Sequence, residues 1–275
     1  MQTVESIAQA RAVFEVLPRP LGFIPTMGAL HAGHLALVER ARSECATVAA
    51  SIFVNPLQFG PGEDFATYPR DLAADRGALA AAGTDVIFAP NAATMYPDGF
   101  GTSIDVGAVG ERFEGAIRPH HFRGVATVVA KLLHIVEPDL LYLGQKDAQQ
   151  TAVVRRLVRD LAFAVNVNIV PTVREADGLA LSSRNVYLNE RERAQAPSLH
   201  RALLALREAL ARGCGKAEAV ACAGDVLDPA AKAEYFDVVH AQTFEPLDAL
   251  VPPAFIIGAA RFGTTRLIDN LWIER

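Results

Sequence analysis

The chain has 275 residues, 51% of them hydrophobic and 21% charged, enough to bury one large or two modest cores. Its 26 Lys and Arg against 31 Asp and Glu give a formal charge of −5, which supplies no broad basic footprint and argues against nucleic acid as a partner. No apolar run reaches membrane-spanning length, the N-terminal stretch lacks a signal-peptide core, and Cys45, Cys214 and Cys222 have neither the even count of a disulfide framework nor metal-ligand spacing, so the expectation is a cytoplasmic protein with free thiols and no membrane contact.

Ser6 to Glu15 predicts an opening helix. Leu21 to Ile24 is a short apolar strand, Pro25 to Gly28 carries turn chemistry, and Val38, Ala41 and Cys45 recur at helical spacing, so a helix runs to about Ala46. Thr47 to Val54 is a nearly continuous apolar run ending in Asn55-Pro56, the pattern of a strand covered on both faces. Asp71 to Ala82 is helical in composition, Gly83 stops it, and Thr84 to Ala89 is a third strand.

Residues 91–121 hold several glycines, prolines and charges, and a connection that long inside a domain signals a functional flap. Val125 to Val136 follows as an apolar helix ended by Pro138, then Asp139 to Leu143 as a strand, Thr151 to Leu161 as an amphipathic helix, and Val165 to Val170 as a closing strand. This alternation predicts an α/β fold, a Rossmann-like parallel sheet of five to six strands with helices on both faces, over residues 1–173. Residues 174–275 read as a smaller C-terminal α+β domain, with helices over Glu190 to Arg212 and Lys216 to Leu227 and strands over Tyr235 to His240, Ala254 to Arg261 and Thr264 to Ile273. The short linker implies a hinged lid that carries the loop Ser182-Ser183-Arg184-Asn185.

Ligands in open α/β sheets lie beyond the carboxyl ends of the strands, where the polar clusters of this chain fall. His31 and His34 lie at a helix entrance, where unpaired N–H groups and the macrodipole favour phosphate, and Gly33 between them permits close approach to the backbone. Asn55 and Gln58 follow the second strand; Gly144, Lys146, Asp147 and Gln150 follow the strand ending at Leu143. Lys146 and Arg184 are fixed cations suited to phosphates, Ser182 and Ser183 add hydroxyls, and Gln58 and Gln150 are neutral amides that can hold a hydroxy acid without quenching its carboxylate. Asp147 either orients Lys146 or the ribose, or caps a helix. No GxSxG, Walker A or strand-linked GxGxxG occurs, so the toolkit is one for holding a triphosphate while a substrate oxygen attacks it. Gln149 reads as a solvated neighbour, His120 and His121 as helix caps, His134 as a core or interface residue, and His200 and His240 as histidines without context.

Strand, glycine turn and His31-Ala32-Gly33-His34 together resemble the HxGH signature of the nucleotidylyltransferase and class I aminoacyl-tRNA synthetase superfamily. PTMGALHAGH, FVNPLQF, YPRD, MYPDG, GQKDAQQ, PTVREADGLALSSRN and the ending GTTRLIDN, in that order, are similar to the pantoate–β-alanine ligase family. That resemblance implies Mg2+-assisted, ATP-dependent adenylation of pantoate, then attack by β-alanine to give pantothenate and AMP, in a homodimer. It places Met27, Gly28, Ala29, Leu30, His31, Ala32, Gly33 and His34 along ATP, with His34 donating a proton. Gly144, Gln145, Lys146, Asp147, Val173, Leu181, Ser182, Ser183 and Arg184 would also bind ATP, and Asn55, Gln58, Gln150 and, from the flap, Arg118 would hold pantoate or β-alanine. The chain departs from the family pattern at Gln145, Ala148, Leu57 and Leu181, which adjoin functional positions. Two other readings stay open: an adenylyltransferase that keeps the nucleotide on its product, and a nucleotide sensor without turnover.

Overall fold

A computed structural model describes residues Met1–Glu274. Within them the chain divides into two units, one of residues 1–144 and 153–170, the other of residues 145–152 and those from 171 onward. The expected boundary at 173/174 differs from this division, because the segment 145–152 clusters with the later residues.

The first unit is built from β1 (Gln2–Val4), α1 (Ile7–Glu15), β2 (Leu21–Thr26), α2 (Ala32–Glu44), β3 (Thr47–Ile52), α3 (Leu72–Ala81), β4 (Val86–Phe88), α4 (Ala92–Met95), α5 (Glu114–Ile117), α6 (His121–Val136), β5 (Leu140–Gly144), the later part of α7 (Ala148–Asp160) and β6 (Asn166–Val170). Its six strands are all parallel in the order β1-β4-β3-β2-β5-β6. The fold class expected from the alternation is the one observed. Residues of β2 and β3 are buried almost throughout, as the continuous apolar runs require of strands covered on both faces. Ile24, Val38, Ala41, Val48, Ala50 and Ile87 form one cluster joining α2 to the sheet, each large aliphatic contributing roughly 1.5–3 kcal/mol of burial.

Local chemistry sets the helix ends. Ser6 and Gln9 make a reciprocal capping box on α1, and Asp71 caps α3 by accepting from the Ala74 N–H at 2.9 Å. Two elements differ from the sequence reading. β1 is an added edge strand of three residues whose Gln2 and Thr3 gave no apolar run. Helix α6 begins a turn earlier than Val125, at His121, because His120 turns the chain with φ +73°.

The second unit contains α8 (Glu190–Gln195), α9 (Ser198–Ala211), α10 (Lys216–Val226) and the antiparallel strands β7 (Lys232–His240), β8 (Ala254–Phe262) and β9 (Thr265–Ile273). The helix expected over Glu190 to Arg212 is two helices, broken around Pro197, which has no N–H to donate. Leu199, Leu203 and Leu206 of α9 share a core with Val238, Ile256 and Phe262. Among the described residues, no helix is long and apolar enough to cross a membrane.

Candidate active site

In the first unit β2 and β5 are neighbours, yet their register covers only Gly22 with Leu140 and Phe23 with Leu141. β2 continues to Thr26 and β5 to Gly144, so the strands part toward their carboxyl ends. Sheet order reverses at this pair, the position where open α/β sheets admit ligands.

The turn leaving β2 is held from outside. Gly28 and Ala29 have φ of +83° and +51°, a backbone that costs a non-glycine residue roughly 1–2 kcal/mol. The Asp75 carboxylate, buried on α3, accepts the Ala29 N–H at 3.0 Å and the Leu30 N–H at 2.9 Å. A Cβ on Gly28 would lie 2.6 Å from Asp75 Oδ2, so the residue must be glycine for steric as well as conformational reasons.

Past that turn the helix cap is made by histidines. His31 Nδ1 accepts the Gly33 N–H at 3.1 Å, and the His31 N–H donates to His34 Nδ1 at 3.3 Å. The two rings lie with centroids 4.1 Å apart, tilted by 43°. An imidazole whose Nδ1 accepts a backbone N–H keeps its proton on Nε2. Both rings therefore carry an Nε2–H donor, beside the positive end of the α2 dipole.

Gln58 closes a short 3-10 turn, Pro56–Gln58, capped by Asn55. The Asn55 side chain, 1% exposed, accepts the Leu57 N–H at 3.2 Å and the Tyr96 hydroxyl at 2.7 Å, and donates to the Gly124 carbonyl at 3.1 Å and to Gln58 Oε1 at 3.0 Å. The polar atoms of Asn55, a residue expected to bind substrate, are engaged by the protein, and one of these bonds ties it to Gln58. The Gln58 Nε2 group lies 3.0 Å from Met27 Sδ, which joins the two loops. At Gly124 a Cβ would fall 2.2 Å from the Leu57 carbonyl oxygen, so α6 abuts this turn by backbone.

Arg118 forms a two-pronged ion pair with Glu63, at 2.9 and 2.6 Å, and its third nitrogen lies 3.2 Å from His121 Nε2. This pair joins the segment before α6 to the loop after β3. Burial works against the Glu63 carboxylate, but the hydrogen bonds and charge of Arg118 outweigh it and hold Glu63 below the usual range. His121 is pushed down to about 4, first by burial and then by the Arg118 charge. Its Nδ1–H donates to the Gln58 carbonyl at 2.8 Å, leaving Nε2 as the bare nitrogen facing Arg118. His121 is thus more than a cap, whereas His134 is exposed and stacks on Phe163.

In the second unit the turn Gln145–Asp147 is clamped by Asn270, which is 2% exposed. Asn270 donates to the Gln145 and Lys146 carbonyls, both at 2.9 Å, and accepts from Gln145 Nε2 at 3.1 Å. Gln145 is thus bonded to Asn270 through both its side chain and its carbonyl. Lys146 Nζ stands 3.3 Å from Asp147 Oδ1, so the two side chains form an ion pair on this turn. Arg174 grips Asp269 through two bonds of 2.6 and 2.9 Å. Burial penalises the Asp269 carboxylate; the His200 contact at 3.4 Å and the closer Arg174 fork outweigh it and hold it below the ordinary range. Lys146, Ser182, His200 and Asp269 line one small cavity, which gives His200 a context that its sequence neighbours lack.

Ser182 caps the turn Ser183–Tyr187 by accepting the Arg184 N–H at 3.2 Å. The Leu181 N–H bonds the Val173 carbonyl at 3.0 Å, and Asn185 donates to Ala180 at 3.1 Å, so Ser182 to Arg184 are presented from a pinned loop. Gln150 is half-buried on α7 and Gln149 is buried, the reverse of the exposure expected for Gln149. Met27 to His34, Asn55, Gln58 and Arg118 are thus in the first unit, with Gly144 at its β5 end. Gln145, Lys146, Asp147, Gln150, Val173 and Leu181 to Arg184 are in the second. The sequence reading missed Asp75, Tyr96, Arg174, Asp269 and Asn270.

A family model for pantoate-beta-alanine ligase matches residues 1–272. The chain is 56% identical to a pantothenate synthetase of Chloroflexus aggregans, over 99% of each chain. It is 55% identical to one from Thermus thermophilus, over 98% of this chain and 99% of the relative. A crystal structure of pantothenate synthetase from Thermus thermophilus superposes with a TM-score of 0.95 over the whole of both chains, at 54% identity. The pantoate-beta-alanine ligase of Francisella tularensis, solved in complex with beta-gamma ATP and β-alanine, gives 0.82 at 35% identity, over 99% of this chain and 97% of that one.

Proposed function

The chain belongs to the pantoate-beta-alanine ligase family, and from that premise we propose that it condenses pantoate with β-alanine at the cost of ATP, by way of a pantoyl adenylate. In the first step a pantoate carboxylate oxygen attacks the α-phosphorus and the bond to pyrophosphate breaks. In the second the β-alanine amine attacks the acyl carbon, AMP leaves with the electron pair, and the surplus amine proton goes to solvent. A free carboxylate has a poor leaving group, and adenylation replaces it with AMP.

The observation that carries this reading is that His31 and His34 both accept backbone N–H groups through Nδ1 at the start of α2, which assigns the ring proton of each to Nε2. Charge grows on the α-phosphate oxygens during attack, and fixed donors aimed at that charge lower the barrier. His34 is the principal donor, and Lys146 and Arg184 supply the positive charge for the departing pyrophosphate. Gln58 and Gln150 hold pantoate through neutral amides, and a neutral clamp leaves its carboxylate nucleophilic. Gly28 to Gly33 and the backbone near Val173 and Leu181 line the nucleotide.

The donors present fit a magnesium ion that arrives on the triphosphate. Among the described residues, no three His, Cys, Asp or Glu side chains cluster to hold a metal, and Mg2+ in nucleotide sites takes one or two carboxylates with phosphate oxygens and water. Asp147, about half exposed beside Lys146, is the carboxylate we assign to it. When bound, the ion neutralises charge on the pyrophosphate.

Product analysis tests the function. Free AMP and pantothenate in equal amounts, formed only when pantoate and β-alanine are both present, support the ligase. A stable nucleotidylated product, or ATP binding without turnover, rejects it. We further propose a homodimer, which the edge position of β6 favours and sedimentation checks, and a cytoplasmic location, consistent with three free cysteines.

A further inference from the structure

Gln58 can face a substrate with its oxygen or with its NH2 group, and the chain of partners around it decides which. The Gly124 carbonyl can only accept and the Leu57 N–H can only donate, so together they fix the Asn55 amide with Nδ2 toward Gly124 and Oδ1 toward Leu57. The same Nδ2 group then reaches Gln58 Oε1, so the Gln58 oxygen is turned inward; of the two N–H donors on its NH2, one meets Met27 Sδ at 3.0 Å and the other is the one a ligand can take. Tyr96 donates the second hydrogen bond to Asn55 Oδ1, at 2.7 Å. Burial raises the phenol above its ordinary range, so the hydroxyl keeps its proton and acts as a donor at every working pH.

The Tyr96 ring is itself held in place. It packs at 6.0 Å from the Phe53 ring and 4.9 Å from Phe100, and the Lys131 ammonium of α6 lies 5.5 Å from its centroid and 4.5 Å from that of Phe100. The residues around MYPDGFG thus tie the flap to the glutamine through one hydroxyl.

We infer that Tyr96 is a positioning residue for pantoate: by locking Asn55 it holds Gln58 with its amide NH2 group, a donor, directed at the substrate carboxylate. The inference rests on the ligase reading, in which Gln58 holds pantoate. Selectivity follows, since a carboxylate or hydroxyl oxygen is accepted at this position and a cationic or donor-only group is not.

The test is Tyr96→Phe, which keeps the ring contacts and deletes the hydroxyl. Steady-state kinetics should show KM for pantoate raised roughly tenfold, the loss expected of one hydrogen bond, with kcat and KM for ATP within about twofold of the wild type. In a Gln58→Ala background, pantoate affinity measured by calorimetry should be the same with Tyr96 or Phe at this position. An unchanged pantoate KM in Tyr96→Phe, or the same tenfold factor persisting without Gln58, overturns the inference. Wild-type enzyme that does not turn over pantoate at all instead removes the ligase reading, and this inference with it.

Discussion

The carboxylate of Asp75 in α3 and the N–H of Ala29, 46 positions earlier, are joined by a 3.0 Å hydrogen bond that fixes the turn ahead of His31. A single acidic side chain thereby supports two consecutive residues with positive φ and, through them, the direction in which the histidine pair enters the site. Asp75→Asn keeps the size of the side chain but replaces one acceptor with a donor that meets a backbone N–H. The expected outcome is a stability loss of about 1–3 kcal/mol, read by chemical denaturation, together with a fall in kcat of tenfold or more at saturating substrates. Stability and turnover both at wild-type values would show that the turn holds its shape unaided.

Asn270 plays the corresponding part in the second unit, since its side chain spans the Gln145 and Lys146 carbonyls. Asn270→Ala should loosen the turn that carries Lys146 and raise KM for ATP roughly tenfold, leaving KM for pantoate much less affected. Lys146→Ala should cost more, about 3 kcal/mol of transition-state stabilisation, and the double variant should be little worse than Lys146→Ala. Additive losses would mean that Asn270 acts on something other than the lysine.

The acid response is set in part by His121. Its folded pKa of about 4 lies below the ordinary histidine value of 6.5, so between those values the unfolded chain binds a proton that the native state does not. Stability therefore falls as pH drops through this window, by about 3 kcal/mol in total from this one group. Glu63, held below its usual value, adds to the loss at still lower pH. His121→Gln keeps a donor for the Gln58 carbonyl and has no titration. Thermal midpoints compared at about pH 7 and about pH 4.5 should drop less in the variant than in the wild type, and equal drops would exclude His121 as the source.

Much of this fold was legible because its determinants are local. β3 is a continuous apolar run, α3 has Asp71 before it and Gly83 after it, and the strand, turn and His31 to His34 order survives intact in β2 and α2. What escaped notice is fixed by partners distant in sequence. Asp75 lies in an alanine-rich helix whose own pattern gives no reason for a buried carboxylate, and its meaning comes only from Ala29 and Leu30. Asn270 and Asp269 lie on a strand whose alternation marks burial but not what the side chains grip. Tyr96 reads as one more aromatic of an irregular flap until its hydroxyl is seen on Asn55. Gln149 and Gln150 differ by one helical position, which the assignment of the helix start to Thr151 rather than Ala148 misjudged.

The most direct test of the central claim is pantoate-dependent exchange of pyrophosphate into ATP, which isolates adenylation, measured for His34→Ala and His34→Gln beside the wild type. Glutamine can replace the capping contact to the His31 N–H, so it separates loss of the imidazole from loss of the helix start. If His34 stabilises the growing charge at the α-phosphate, both variants should stay folded and exchange roughly 100- to 1,000-fold more slowly. Exchange near the wild-type rate in either variant would contradict that role for the histidine.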